Sequence, residues 1–170
     1  LQRPYFSCQG AIAMIEVTTE ITIHASIERC FDYARDIDVH TQTVWKHTRE
    51  RAVAGVTTGR IGAGDTVTFQ ATHFGVRQKL KSRIVQFERP FIFVDQMEKG
   101  AFKSMRHEHH FSVIGDQLTC MRDTLRFEAP LGLLGWAAER LVLKRYMQAF
   151  LESRNRKLKA MLELLPELNG

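Results

Sequence analysis

GAFKSMRHEHHFSVIGDQLTCMRDTLRFEAPLG, residues Gly100 to Gly132, is the stretch whose reading decides the fold. Phe102 opens it, and Met105, His107, His109 and Phe111 follow at every second position. After a turn placed at Gly115-Asp116, Thr119, Met121, Asp123, Leu125 and Phe127 repeat the same period. Side chains along a strand alternate between faces, so each set shares one face of an antiparallel hairpin. Turned inward, the two sets put a pair of imidazoles and a carboxylate among apolar side chains.

Downstream of Pro130-Leu131-Gly132 the period changes to 3.6. Leu134, Ala138, Leu141, Val142, Met147, Phe150, Leu151, Leu158, Met161 and Leu162 trace an apolar stripe to about Leu165. Such a helix is roughly 45 Å long, and its stripe must be buried against the concave side of a sheet. Upstream, Val17, Thr19, Ile21 and Ile23 alternate with polar residues in a first strand. Ser26 then caps one or two short helices carrying Ile27, Cys30, Phe31 and Ala34 and ending near His40. Strand-like sequence resumes from Lys46 to Val53, and glycines 55, 59, 62 and 64 mark turns. The run Gly59-Arg-Ile-Gly-Ala-Gly64 leads into a strand, not the helix amino terminus that a dinucleotide phosphate requires.

The next hairpin fixes its own register. A two-residue turn at Phe74-Gly75 sets Thr72 opposite Arg77, Ala71 opposite Gln78 and Phe69 opposite Leu80. Val67, Phe69, Ala71 and His73 then share a face with Val76, Gln78, Leu80, Ser82 and Ile84, while Arg77, Lys79, Lys81 and Arg83 line the other. Pro90 precedes a strand from Phe91 to Met97. The order of one strand, short helices, about six antiparallel strands and a long terminal helix is α+β.

A chain of 170 residues with 44% hydrophobic content fits one domain with a sizeable core. No apolar run approaches the roughly 20 residues of a membrane span. Cys8, Cys30 and Cys120 are odd in number and lack ligand spacing, which points to a reducing, cytoplasmic setting. Residues 1–13 read as an upstream extension or a cloning remnant, 14–165 as the domain and 166–170 as a tail. The formal net charge of +5 and the cationic strand face could attract an anionic surface. No aromatic platform interleaves with those cations, so nucleic acid is not expected. No serine elbow, Walker loop or cysteine-histidine nucleophile pattern is present, and nothing sets an oligomeric state.

Gly62-Ala63-Gly64-Asp65, His73-Phe74-Gly75, Pro90 with Phe93-Val94-Asp95, Gly100-Ala101-Phe102, His107 to Phe111, Asp123 and Pro130-Leu131-Gly132 together resemble the START-like SRPBCC superfamily. The branch they are most similar to is that of polyketide cyclase/dehydratase and coenzyme Q-binding proteins, over Met14 to Leu165. The resemblance implies a helix-grip fold, a curved antiparallel sheet wrapped around the carboxy-terminal helix with a deep cavity between them. It does not imply one activity, because lipid and quinone carriers, hormone receptors, aromatase/cyclases and oxygenase subunits share the fold. The iron ligands and Rieske pattern of the last group are not matched.

The expected ligand is therefore a small hydrophobic molecule, lipid, isoprenoid, quinone or polyketide-like aromatic, taken up by a carrier, sensor or chaperone. Its expected wall comprises Trp45, Phe69, Ala71, His73, Leu80, Phe93 and Met97 from the first half of the sheet. Phe102, Met105, His107, His109, Phe111, Met121, Asp123, Leu125 and Phe127 continue it, and Met147 and Phe150 close it from the helix. Burying a lone carboxylate is costly, so Asp123 should pair with His109 or His107 across the hairpin. That group either satisfies itself, orients a ligand oxygen, or serves as acid and base in a cyclase/dehydratase. A third reading is an interaction protein docking an anionic partner or membrane through the cationic face. No cofactor or metal is expected: His73, His107, His109 and Asp123 could offer zinc ligands, but strand neighbours two residues apart should diverge. Leu131, Leu133, Leu134 and Trp136 at the helix entrance would either touch a membrane transiently or pack into the core.

Overall fold

Period-two segments become seven strands in the computed structural model, which describes residues 14–129 and 136–164. They are β1 (Ile15–Ile23), β2 (Arg51–Gly55), β3 (Thr66–His73), β4 (Val76–Glu88), β5 (Ile92–Lys99), β6 (Ser104–Gly115) and β7 (Leu118–Glu128). Between β1 and β2 lie α1 (Ile27–Ala34) and α2 (Ile37–Thr43), and the long α3 (Trp136–Leu164) ends the described chain. One antiparallel sheet runs in the order β1-β7-β6-β5-β4-β3-β2. It curves around α3, giving the helix-grip architecture.

Turn chemistry decides the register. Phe74 and Gly75 both adopt positive φ, 51° and 77°, the backbone of a two-residue hairpin turn that follows strand twist. Thr72 therefore faces Arg77, Ala71 faces Gln78 and Phe69 faces Leu80. In the β6–β7 hairpin His109 stands opposite Asp123. Its turn is centred on Asp116-Gln117, one residue later than expected, because Gln117 takes positive φ and Gly115 still pairs with Leu118.

Two segments depart from the sequence expectation. Lys46–Thr48 is a short 3-10 turn, with β2 beginning only at Arg51. Thr48 donates both its amide and its hydroxyl to the Trp45 carbonyl, at 3.1 and 2.7 Å, which folds the backbone back. On α3, Leu141 and Val142 are exposed, although their spacing places both on the inner stripe. At about 100° per residue Val142 stands roughly half a turn away from the buried Leu151. Arg154 and Asn155 instead occupy the inner line with Phe150, Leu151, Leu158 and Leu162. Pro130, Leu131, Gly132, Leu133, Leu134, Leu165, the 1–13 extension and the 166–170 tail lie outside the described residues, as does the side chain of Trp136. No helix among the described residues is long and apolar enough to cross a membrane.

The core divides into two clusters. Phe31 of α1 anchors one, with Phe87, Phe93 and Phe111 meeting its ring edge-on at 5.3–5.4 Å. Ile15, Val17, Met105, Leu125, Phe127 and Leu151 form the other. Cys30 is buried in the first cluster, where burial pushes its thiol up to about 11. Cys120 points from β7 to the opposite side of the sheet. Phe31 is fully buried, so Phe31→Ala should lose about 3–5 kcal/mol of stability, read as a lower urea midpoint with an unchanged slope.

Candidate functional site

Between the two clusters the interior is hollow. A cavity of about 470 Å³ runs from the β3–β4 hairpin to the centre of the sheet, under α3. Strand β3 contributes Val67, Phe69, Ala71 and His73, and β4 contributes Gln78, Leu80, Ser82 and Ile84. Phe93 and Asp95 come from β5, Met105, His107 and His109 from β6, and Leu125 from β7. Tyr146, Met147, Phe150 and Arg154 of α3 cover it, and Phe102 closes one corner. Phe74 and Val76 line the cavity and are also about 60% exposed, so its mouth lies at the hairpin tip. There the Tyr146 ring packs on Phe74 at 4.5 Å, and its hydroxyl is hydrogen-bonded to His73 Nδ1 at 2.7 Å.

Six residues expected on this wall are elsewhere. Phe111 and Met121 pack around Phe31, while Phe127 and Met97 belong to the second cluster. Trp45 stands edge-on to Tyr146 and Phe150. Asp123 faces inward but is fully covered, with both oxygens engaged. Alternation distinguishes the inner face from the outer one but cannot tell a side chain facing a void from one packed against a helix.

The polar group around Asp123 links sheet to helix. Its Oδ1 lies 2.6 Å from His109 Nδ1, and its Oδ2 accepts from Asn155 Nδ2 at 2.7 Å. Asn155 also donates to the Thr19 hydroxyl on β1, and Arg154 Nη1 approaches Asp123 Oδ2 to 3.7 Å. The other face of His109 meets Asp95, with Nε2 3.4 Å from Oδ2, and Phe93 stacks on its ring at 4.2 Å. Burial disfavours charge on His109, but the Asp123 and Asp95 carboxylates outweigh it and raise its pKa. Burial likewise opposes ionisation of Asp123 and Asp95, and the neighbouring imidazoles hold both below the usual carboxylate range.

His107 behaves differently. Its ring lies 3.9 Å from that of His109, so the two imidazoles converge where divergence was expected. Burial, reinforced by the charge on His109, pushes His107 down to about 3. It is thus a neutral imidazole on the cavity wall. Neither nitrogen forms a hydrogen bond within the described residues: Nδ1 is 3.8 Å from Asp95 and the buried Nε2 is 3.9 Å from Asp123. His73 is not part of this group, because it is committed to Tyr146 at the mouth. A second acid-base pair, His40 Nε2 with Glu50 Oε1 at 2.6 Å, lines the cavity beside Phe69.

Asp95, Arg154, Asn155, Glu50 and Tyr146 escaped the sequence reading. Asp95 had a signal, since it sits midway between Phe93 and Met97, both placed inward. Arg154 and Asn155 follow Phe150 and Leu151 by four residues, on the same helical face. Nothing local distinguishes such polar residues from solvent-facing ones.

The chain matches the family model described as polyketide cyclase / dehydrase and lipid transport over residues 14–163. No curated protein matches it in sequence. Among solved structures it is similar to TTHA0849 from Thermus thermophilus, with 21% identity, TM-score 0.72, and 88% of this chain and 97% of that chain covered. A START superfamily protein from Mycobacterium smegmatis gives 15% identity and TM-score 0.68, covering 88% and 97%. The Zhui aromatase/cyclase from Streptomyces sp. R1128 gives 15% identity and TM-score 0.66, covering 93% and 99%. At these identities the structural likenesses speak for the fold.

Truncating the buried carboxylate should be costly. Asp123→Ala leaves His109 and Arg154 without their shared counter-charge and is expected to lose about 3–5 kcal/mol. Asp123→Asn keeps an oxygen for Asn155 and should lose less. Urea unfolding of both variants checks the order.

Proposed function

Because the chain belongs to the polyketide cyclase/dehydrase and lipid transport family, in the START-like SRPBCC superfamily, we propose that it binds a small, largely apolar molecule in the cavity under α3, as a carrier or sensor. The observation that carries this reading is a hollow of about 470 Å³ with mostly apolar walls and one neutral imidazole, His107, lacking a hydrogen-bond partner. Cavities of this size suit isoprenoid, quinone or polyketide-like aromatic guests, whose surface is held by apolar walls while a few fixed polar atoms set orientation. His107 meets a guest oxygen, His109 and Asp123 hold that wall in place, and the Phe74–Tyr146 mouth admits the guest. The START and aromatase/cyclase relatives lend the same direction to the reading.

A second reading is a cyclase/dehydratase-type enzyme. Asp95 and His109 favour it, a carboxylate and an imidazole of raised pKa 3.4 Å apart on the cavity wall, an arrangement able to remove and return a proton. In that case Asp95→Asn would abolish turnover of a poly-β-ketone while leaving its binding nearly intact.

The direct measurement is a thermal shift of chelator-treated protein with quinones and aromatic polyketide analogues. A ligand at a hundred times its Kd adds about 2.7 kcal/mol, a rise in Tm of about 5–10 °C for a chain of this size. His107→Leu should weaken the best guest about tenfold, the worth of one buried hydrogen bond. No shift with any compound, together with no guest recovered by native mass spectrometry, would overturn the reading.

A further inference from the structure

Asp95, His107 and His109 each bring one ligand-type atom to within 4.8 Å of the others, on the cavity wall. Asp95 Oδ2 is 3.4 Å from His109 Nε2 and 3.8 Å from His107 Nδ1. Nitrogen and oxygen donors around a first-row ion at about 2.0–2.2 Å stand roughly 3–3.5 Å from one another. Shifts of about an ångström therefore close the group around an ion.

The surroundings match those of a ligating triad. Asp123 grips His109 Nδ1 at 2.6 Å, as an outer carboxylate grips a metal-bound imidazole to fix its tautomer and aim Nε2. Asn155 holds Asp123 in turn, at 2.7 Å. His107, its ring 3.9 Å from that of His109, spends neither nitrogen on a hydrogen bond within the described residues, so it has an unused lone pair. Two imidazoles and one carboxylate on one side, with open space on the other, is a donor set that suits zinc, cobalt, iron or nickel and leaves positions for a further ligand.

We propose that Asp95, His107 and His109 bind one divalent first-row transition-metal ion, with Asp123 as the positioning residue for His109 and the open coordination positions turned into the cavity. The ion then selects a guest that chelates through two adjacent oxygens, such as a hydroxyquinone or the enolate of a 1,3-diketone. This second half rests on the cavity-binding reading. Charge favours such a guest: with both imidazoles neutral, Asp95 and Asp123 against Arg154 leave a single negative charge. The ion turns it into a single positive one, and an anionic oxygen ligand cancels that.

Untagged protein, stripped with a chelator, is titrated with Co²⁺ and then Zn²⁺ and followed by visible absorption and calorimetry. Near-stoichiometric binding, ligand-field bands and their loss on adding Zn²⁺ are expected. His107→Leu removes no hydrogen bond from the fold and should weaken Zn²⁺ binding about tenfold or more. Asp95→Asn should do the same. Less than a tenth of an equivalent bound, or equal affinity in His107→Leu, overturns the site, the latter because exposed His24, His47 and His110 would then hold the ion. A 2-hydroxy-1,4-naphthoquinone and its methyl ether are then compared with and without Zn²⁺. Zn²⁺ should tighten the hydroxyquinone about tenfold and leave the ether unchanged. If both bind and Zn²⁺ alters neither, chelation falls and the cavity reading stands. If Zn²⁺ binds at the triad and neither quinone binds under any condition, the cavity reading and chelation fall and the metal site stands.

Discussion

A single carboxylate, fully removed from water, ties this molecule together. Asp123 sits on β7, between β1 and β6, and accepts hydrogen bonds from His109 on β6 and Asn155 on α3. An isolated buried carboxylate would neutralise itself or unfold its surroundings. Here imidazole, amide and guanidinium compensate it from two layers of the fold. The helix is therefore held at a fixed height above the sheet by polar contacts as well as by Phe150, Leu151, Leu158 and Leu162. With α3 tied to the sheet at Asn155 and the packing concentrated around Phe31 on one side and Leu125 on the other, space remains between the two clusters. The cavity is a consequence of where the chain places its bulky side chains.

The same compensation sorts the chemistry of the wall. His109, gripped by carboxylates on both sides, has its pKa raised. His107, one ring away, is pushed down instead, by burial first and by its neighbour second. Adjacent residues of one type thus acquire opposite characters from their neighbours alone.

Much of this was legible in the sequence, and the rest failed for identifiable reasons. The Phe74-Gly75 turn specified a whole hairpin, since two residues of positive φ admit one register. The second hairpin left Asp123 opposite His109 or His107, and the turn displaced by one residue sets it opposite His109. Arg154 and Asn155 were missed because their burial depends on partners some thirty positions away or more, a relation no local period contains. Asp95 lay in plain alternation between Phe93 and Met97 and could have been read from it. Phe111 and Met121 were placed on the right face, but α1 fills the space in front of them.

The hairpin tip differs from everything it guards. Phe74 holds a left-handed backbone that favours glycine, and it and Val76 remain largely exposed, whereas the ionic knot at the far end is sealed. Opening energies within a folded chain range from near zero at frayed margins to the full unfolding value at the core. A guest of the proposed kind would leave by local opening of this beak, without global unfolding. Residence time of such a guest and overall robustness would then be set by different parts of the chain.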